Sequence, residues 1–128
     1  MNDSIILKDL QVIAGTKGPQ KAEINLFIDD ELKNISSTGD GPVDAIFNGL
    51  SKLVPHQGKL LLYQVHAVTE GTDAQAEVSV RLAEDGKTVV GLGSDTDTLV
   101  ASAKAYIKAL NKLIVKREKS APAKMTGV

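Results

Sequence analysis

The chain reads as one short unit written twice. "LQVIA" at Leu10 to Ala14 returns as "YQVHA" at Tyr63 to Ala67. "KAEINL" at Lys21 to Leu26 returns as "QAEVSV" at Gln75 to Val80, and Gly39 matches Gly93. "LSKL" at Leu50 to Leu53 matches "LNKL" at Leu110 to Leu113. Chance produces any one such match. Four in the same order point to a duplication, so the fold must be built from two copies of one supersecondary unit.

Hydrophobic periodicity defines that unit. Leu7 to Ala14 reads as a strand, and "GTKGPQ" (Gly15 to Gln20) as a turn. From Lys21 to Asp29 the pattern alternates, with Ala22, Ile24, Leu26 and Ile28 on one face of a half-buried strand. A tight turn at Asp29 to Glu31 leads into a third strand, Leu32 to Thr38. Val43, Ile46, Phe47, Leu50, Leu53 and Val54 then recur at helical spacing. Pro42 suits the first helical position, and Pro55 and Gly58 end the segment.

The second copy runs in the same order. Lys59 to Val68 is a strand, and Thr69 to Asp73 a turn. Ala76, Val78, Val80 and Leu82 share one face of the next strand. Asp85-Gly86 marks a hairpin into Thr88 to Leu92. Leu99, Ala103, Tyr106, Ile107, Leu110, Leu113 and Ile114 form a helical stripe, with Ser94 and Asp97 spaced like a capping box. The expected fold is α+β: two βββα units whose sheets carry their helices on one face. Residues 1–119 form the folded domain, repeat one about 7–55 and repeat two about 59–118. Residues 120–128, "SAPAKMTGV", read as a flexible tail.

Composition narrows the function. In 128 residues 42% are hydrophobic but only 3% aromatic, so an aliphatic core is available to one domain. A net charge of −1 gives no global attraction to nucleic acid or anionic membrane. Lys112, Lys116, Arg117, Lys119 and Lys124 read as a solvated helix end. There are no cysteines, which removes disulfides and thiol chemistry and fits a cytoplasmic setting. No apolar run approaches the roughly 20 residues of a membrane helix.

Catalytic groups are sparse. His56 falls in a turn and His66 in an apolar strand, and neither has a neighbour at metal-ligand spacing. Ser94 and Ser102 lack a nucleophile-elbow context. What remains is two glycine-bearing stretches, Gly39-Asp40-Gly41 and Gly91-Leu92-Gly93, each read as a junction before a helix N-terminus. Helix N-termini offer free N–H groups to a carboxylate, and Asp40 or Asp95 offers a counter-charge to an ammonium. A free amino acid has both groups. Plain helix starts use the same residues.

Three segments carry a resemblance. "NISSTGDGPVDAIFNGL" (Asn34 to Leu50), "TEGTDAQAEVSVRL" (Thr69 to Leu82) and "VGLGSDTDTLVASAKAYIKALNKL" (Val90 to Leu113) resemble the C-terminal regulatory domain of 2-isopropylmalate synthase, a domain shared with citramalate synthase. The resemblance spans roughly Leu7 to Glu118. It implies two βββα units, a homodimer, and leucine bound between two copies as feedback inhibitor. It also implies a separate TIM-barrel catalytic domain, so this chain would bind and signal without catalysing, as an excised domain or a stand-alone relative. The implied ligand residues are Gly39, Gly41 and Val43; Leu60, Tyr63 and Ala67; the small Ala74 and Ala76; and Gly93, Ser94, Asp95 and Thr96. No cofactor or metal is implied in this domain, nor any nucleic acid or membrane partner. Isoleucine as effector, as in citramalate synthase, and a ligand-free dimerisation module are the alternatives. In a regular strand Tyr63 and Ala67 share a face, whereas Leu60 joins them only through a bulge, an end effect or another contact direction.

Overall fold

The computed structural model describes residues 3–53, 59–66 and 74–126. The first unit is β1 (Ile5–Ile13), β2 (Gln20–Ile28), β3 (Glu31–Gly39) and α1 (Pro42–Leu53). The second is β4 (Lys59–Val65), β5 (Ala76–Glu84), β6 (Lys87–Asp95) and α2 (Thr98–Thr126). Each unit is a three-stranded antiparallel meander, ordered β1-β2-β3 and β4-β5-β6, followed by its helix. The expected α+β duplication is the observed fold.

The β2–β3 and β5–β6 hairpins turn on two residues with positive φ, Asp29 and Asp30 in one and Asp85 and Gly86 in the other. These are the mirror-image turns that match strand twist, and Asp tolerates them where β-branched residues do not. Aligning the turns makes Leu26 equivalent to Leu82, Ala22 to Val78 and Ser37 to Gly93. The sequence match of Gly39 with Gly93 is therefore two residues off, and the equivalent of Gly39 is Asp95. An even slip keeps every side chain on its face, so the alternation of buried and exposed positions holds in either register. The first strands match as the sequence indicates. Leu7 opposes Leu26, Leu60 opposes Leu82, and each strand carries a bulge at the next residue, Lys8 or Leu61.

Ala22, Ile24, Leu26, Val78, Val80 and Leu82 are buried under the helices, with Ala45, Ile46, Leu50, Leu110 and Leu113 above them. α1 covers β2 and β3, α2 covers β5 and β6, and the helices meet where Phe47 packs on Tyr106. α2 also reaches back to the first sheet. Asn111 accepts from the Ile5 N–H through Oδ1 (2.9 Å) and donates to the Ile5 carbonyl through Nδ2 (3.0 Å). That clamp satisfies an edge-strand residue in the way a neighbouring strand would. Nearer its C-terminal end, Arg117 donates Nε to Glu84 Oε1 (2.7 Å), tying the helix to the β5–β6 hairpin.

Helix α2 differs from expectation at both ends. Its backbone is helical through Thr126, where a flexible tail from Ser120 is expected. Extending an existing helix needs no new nucleus, and Ala121, Ala123 and Lys124 favour it, against Pro122, which removes one backbone N–H. At the start, the Ser94–Asp97 capping box does not form. Ser94 still belongs to β6, and Asp97 is the cap: its Oδ1 accepts the Leu99 N–H (2.8 Å) and its carbonyl the Ala101 N–H (2.9 Å).

Candidate functional site

The expected ligand residues divide by strand face. Leu60 opposes Leu82 and Tyr63 opposes Val80, so both lie on the helix-covered face of β4. The bulge between Leu60 and Leu62 puts them there; the structure selects that explanation for their odd spacing. Ala76 is buried on the same face of β5, opposite Asp95, and Ala74 just before it is half-buried. Ala67 lies outside the described residues. Ser94 alternates away, onto the uncovered face opposite Glu77. Within one chain, a molecule resting on Tyr63 does not touch Ser94.

Tyr63 is where the repeats meet. Its ring stands edge-on to Phe47 of α1, with centroids 5.5 Å apart. Its hydroxyl lies 2.8 Å from Ser102 Oγ on α2, and Ser102 in turn donates to the Thr98 carbonyl (2.8 Å). Val43, one turn before Phe47, is half-buried against the same core. On either side of Tyr63 the wall is open: Leu60 is 47% exposed and Val65 is 43% exposed. The resemblance did not point to Val65. Its register on β4, two residues after Tyr63, is the signal that finds it.

Of the two expected glycine junctions, only Gly39-Asp40-Gly41 stands directly before a helix. Gly91 and Gly93 are not a junction; they lie inside β6 and face α2. A Cβ on Gly93 would stand 2.6 Å from the Ala105 amide nitrogen, and one on Gly91 would stand 2.5 Å from that of Ala109. The two glycines and the Ala101, Ala105 and Ala109 stripe let helix and strand backbones meet. Gly39 ends β3, and its Cβ position is filled by α1 itself, 2.5 Å from the Ala45 nitrogen. Gly41 is the exception, with open space around it. It caps α1, accepting the Ala45 N–H through its carbonyl (2.9 Å), with Pro42 at the first helical position as expected.

The two helix starts also differ in charge. At α2, Asp95 Oδ1 accepts the Asp97 N–H (2.9 Å) and Oδ2 pairs with Lys104 (2.9 Å). The Asp97 N–H foremost, and then Lys104, hold the Asp95 carboxyl below its ordinary value. Thr96 sits 3.5 Å from the same carboxylate. An arriving ammonium would compete with Lys104 there. At α1, Asp44 folds back to accept the Asp40 N–H (2.9 Å). The first N–H groups of α1 have no partner within the helix, and among the described residues nothing lies within 4 Å of the Cβ position of Gly41 beside them. Burial pushes the Tyr106 hydroxyl up to about 12, so it stays protonated at neutral pH.

Other features lie elsewhere. His66 is exposed on the uncovered face of the second sheet, its Nε2 2.6 Å from Ser79 Oγ. It lines a shallow cavity of about 550 Å³ with Glu77, Leu92, Gly93 and Ser94. Among the described residues, no three His, Asp or Glu side chains gather closely enough to hold a metal ion. No helix among them is long and apolar enough to cross a membrane.

A duplicated βββα unit with an open apolar wall beside an edge strand has the make-up of an interaction domain. The chain belongs to the family described as the LeuA allosteric (dimerisation) domain, which it matches over residues 1–114. It is similar to the 2-isopropylmalate synthase of Bradyrhizobium sp. (strain BTAi1), 61% identical over 118 residues that cover 92% of this chain and 23% of that protein. It is 60% identical over 124 residues to the 2-isopropylmalate synthase of Rhodopseudomonas palustris (strain BisA53), covering 95% and 24%. The enzyme of the same name from Afipia carboxidovorans is 57% identical over 121 residues, covering 94% and 23%. The chain thus spans about a quarter of the length of the curated relatives it matches.

Proposed function

We propose that this chain is the regulatory, dimer-forming part of a 2-isopropylmalate synthase and binds leucine, its feedback inhibitor, between two copies. The observation that carries the reading is the open wall of Leu60, Tyr63 and Val65, flanked by the small Ala74 and Ala76. A second copy would close that wall into a pocket. Burying a leucine side chain there stabilises the complex by about 1.5–3 kcal/mol. The carboxylate would lie at the start of α1, where Gly41 leaves the backbone accessible. Catalysis, in this reading, belongs to a TIM barrel elsewhere in the whole enzyme.

Inhibition is then a linkage effect. Leucine lowers activity only by favouring one arrangement of the dimer over another. A ligand held between copies must also tighten their association. Sedimentation equilibrium of the chain with and without leucine tests this. A dimer dissociation constant that falls with leucine supports the reading, and one indifferent to saturating leucine contradicts it.

A further inference from the structure

The gap between the repeats holds an open cavity of about 490 Å³, under α2 and against the free edge of β6. Asp3, just before β1, closes one side. Val89, Val90 and Val115 supply apolar wall, and Lys108, Lys112 and Lys116 of α2 line it as well. The lysines stand one helical turn apart, so they share one face of α2 and their like charges disfavour one another. The sequence suggests solvated cations here, but two of them are anchored at the cavity. Lys112 Nζ donates to the Val90 carbonyl and Lys116 Nζ to the Thr88 carbonyl, both on the edge strand. An ammonium has three N–H groups, so the single Val90 carbonyl leaves that of Lys112 with donors to spare.

The charge is locally unbalanced: among the described residues lining the cavity, three lysines face a single carboxylate, that of Asp3. Lys104, one turn before Lys108, has Asp95 as its partner. Lys108 and Lys112 have no carboxylate within ion-pair distance among the described residues. A concave, partly apolar cavity of this size with converging cations suits a small molecule carrying negative charge. No arginine lines it, so recognition is by point charges and not by a planar fork.

We propose that this cavity is a second ligand site, for a small organic anion: a carboxylate or a phosphate monoester on a compact aliphatic body. It is separate from the leucine wall, since its residues come from β6, α2 and the start of the chain at Asp3 and not from β4. Occupancy would relieve repulsion along α2 and brace the gap between the two sheets.

The test is an NMR titration of the methyl-labelled chain, following Val89, Val90 and Val115. Hexanoate and hexyl phosphate are the anionic probes and hexanol the neutral control, repeated with the Lys108→Gln/Lys112→Gln variant. Saturable shifts with an anion but not with hexanol, weakened about tenfold or more in the variant, support the site. Whichever anion binds more tightly identifies the head group. Three results overturn it: no saturable shift with either anion up to about 50 mM, a threshold well above typical weak binding; equal binding of hexanol; or unchanged affinity in the variant. Shifts that follow protein concentration instead of ligand also overturn it, because they make the cavity an interface between copies. Leucine titrated into the same variant distinguishes this proposal from the regulatory reading, because the Lys changes should leave leucine binding unchanged.

Discussion

Gly91 lies directly beneath Ala105 and Ala109, so close that a Cβ on the glycine would meet the Ala105 carbonyl oxygen and stand 2.5 Å from the Ala109 nitrogen. Both neighbours are helix backbone, which cannot swing aside as a side chain can. Gly91→Ala must therefore push α2 off its sheet. The expected cost is about 3 kcal/mol, the upper end for overpacking, read as a lowered urea midpoint. Gly41→Ala meets only open space and loses at most a better cap, about 1 kcal/mol or less. Equal losses in the two variants would contradict this division of roles.

Ser37 makes a second packing test. Its hydroxyl is buried without a hydrogen-bond partner among the described residues, and its Cβ lies 3.3 Å from the Cβ position of Gly49 on α1. Small size is what the position needs, and the orphaned hydroxyl costs about 1–3 kcal/mol. Ser37→Ala is expected to be neutral or to stabilise by up to about 1 kcal/mol in denaturant unfolding. A clear loss of stability would mean the hydroxyl has a role that packing does not explain.

Asp95 gives the pH dependence. The Asp97 N–H and Lys104 lower its folded pKa below the ordinary 3.8. A lowered carboxylate stabilises the fold fully above its unfolded value, and that stability disappears as pH falls through the folded value. Asp95→Asn should therefore be less stable than the parent near neutral pH, with the gap narrowing below about pH 4. Urea unfolding of both proteins between about pH 7 and pH 3 measures it, and a gap that widens on acidification would contradict the assignment.

The strand faces and the duplication were legible in the sequence because alternation and repeated segments are local signals. Ala22, Ile24, Leu26, Val78, Val80 and Leu82 share the faces that alternation predicts, and all are buried. The roles of the glycines were not legible. Sequence shows that Gly91 and Gly93 precede a helix, but not that β6 continues to Asp95 and that α2 folds back over both. The same limit explains the failed capping box: Ser94 has the right spacing but is still in a strand. The bulge at Leu61 was needed for Leu60 and Tyr63 to share a face, and the sequence offered it only as one of three explanations. Lys112 and Lys116 look solvated until α2 is laid along the edge of β6.

The leucine wall has its own mutational test. Ala76 is buried in the core, so enlarging it would disrupt the fold before it reported on a ligand. Ala74 is only half-buried at the margin of the wall. Ala74→Leu is expected to keep the thermal midpoint within a few degrees of the parent, corresponding to a loss of about 1 kcal/mol or less. Leucine affinity should fall about tenfold or more by occupation of the side-chain space. Unchanged affinity in the folded variant would remove Ala74 from the site.

The most direct measurement is calorimetric titration of the confirmed dimer with leucine, isoleucine and valine. Leucine is predicted to bind saturably and more tightly than isoleucine, by roughly the 1–3 kcal/mol that the position of one methyl can supply. Tighter binding of isoleucine would contradict the choice of effector. No heat and no thermal shift with any of the three would contradict the regulatory reading itself.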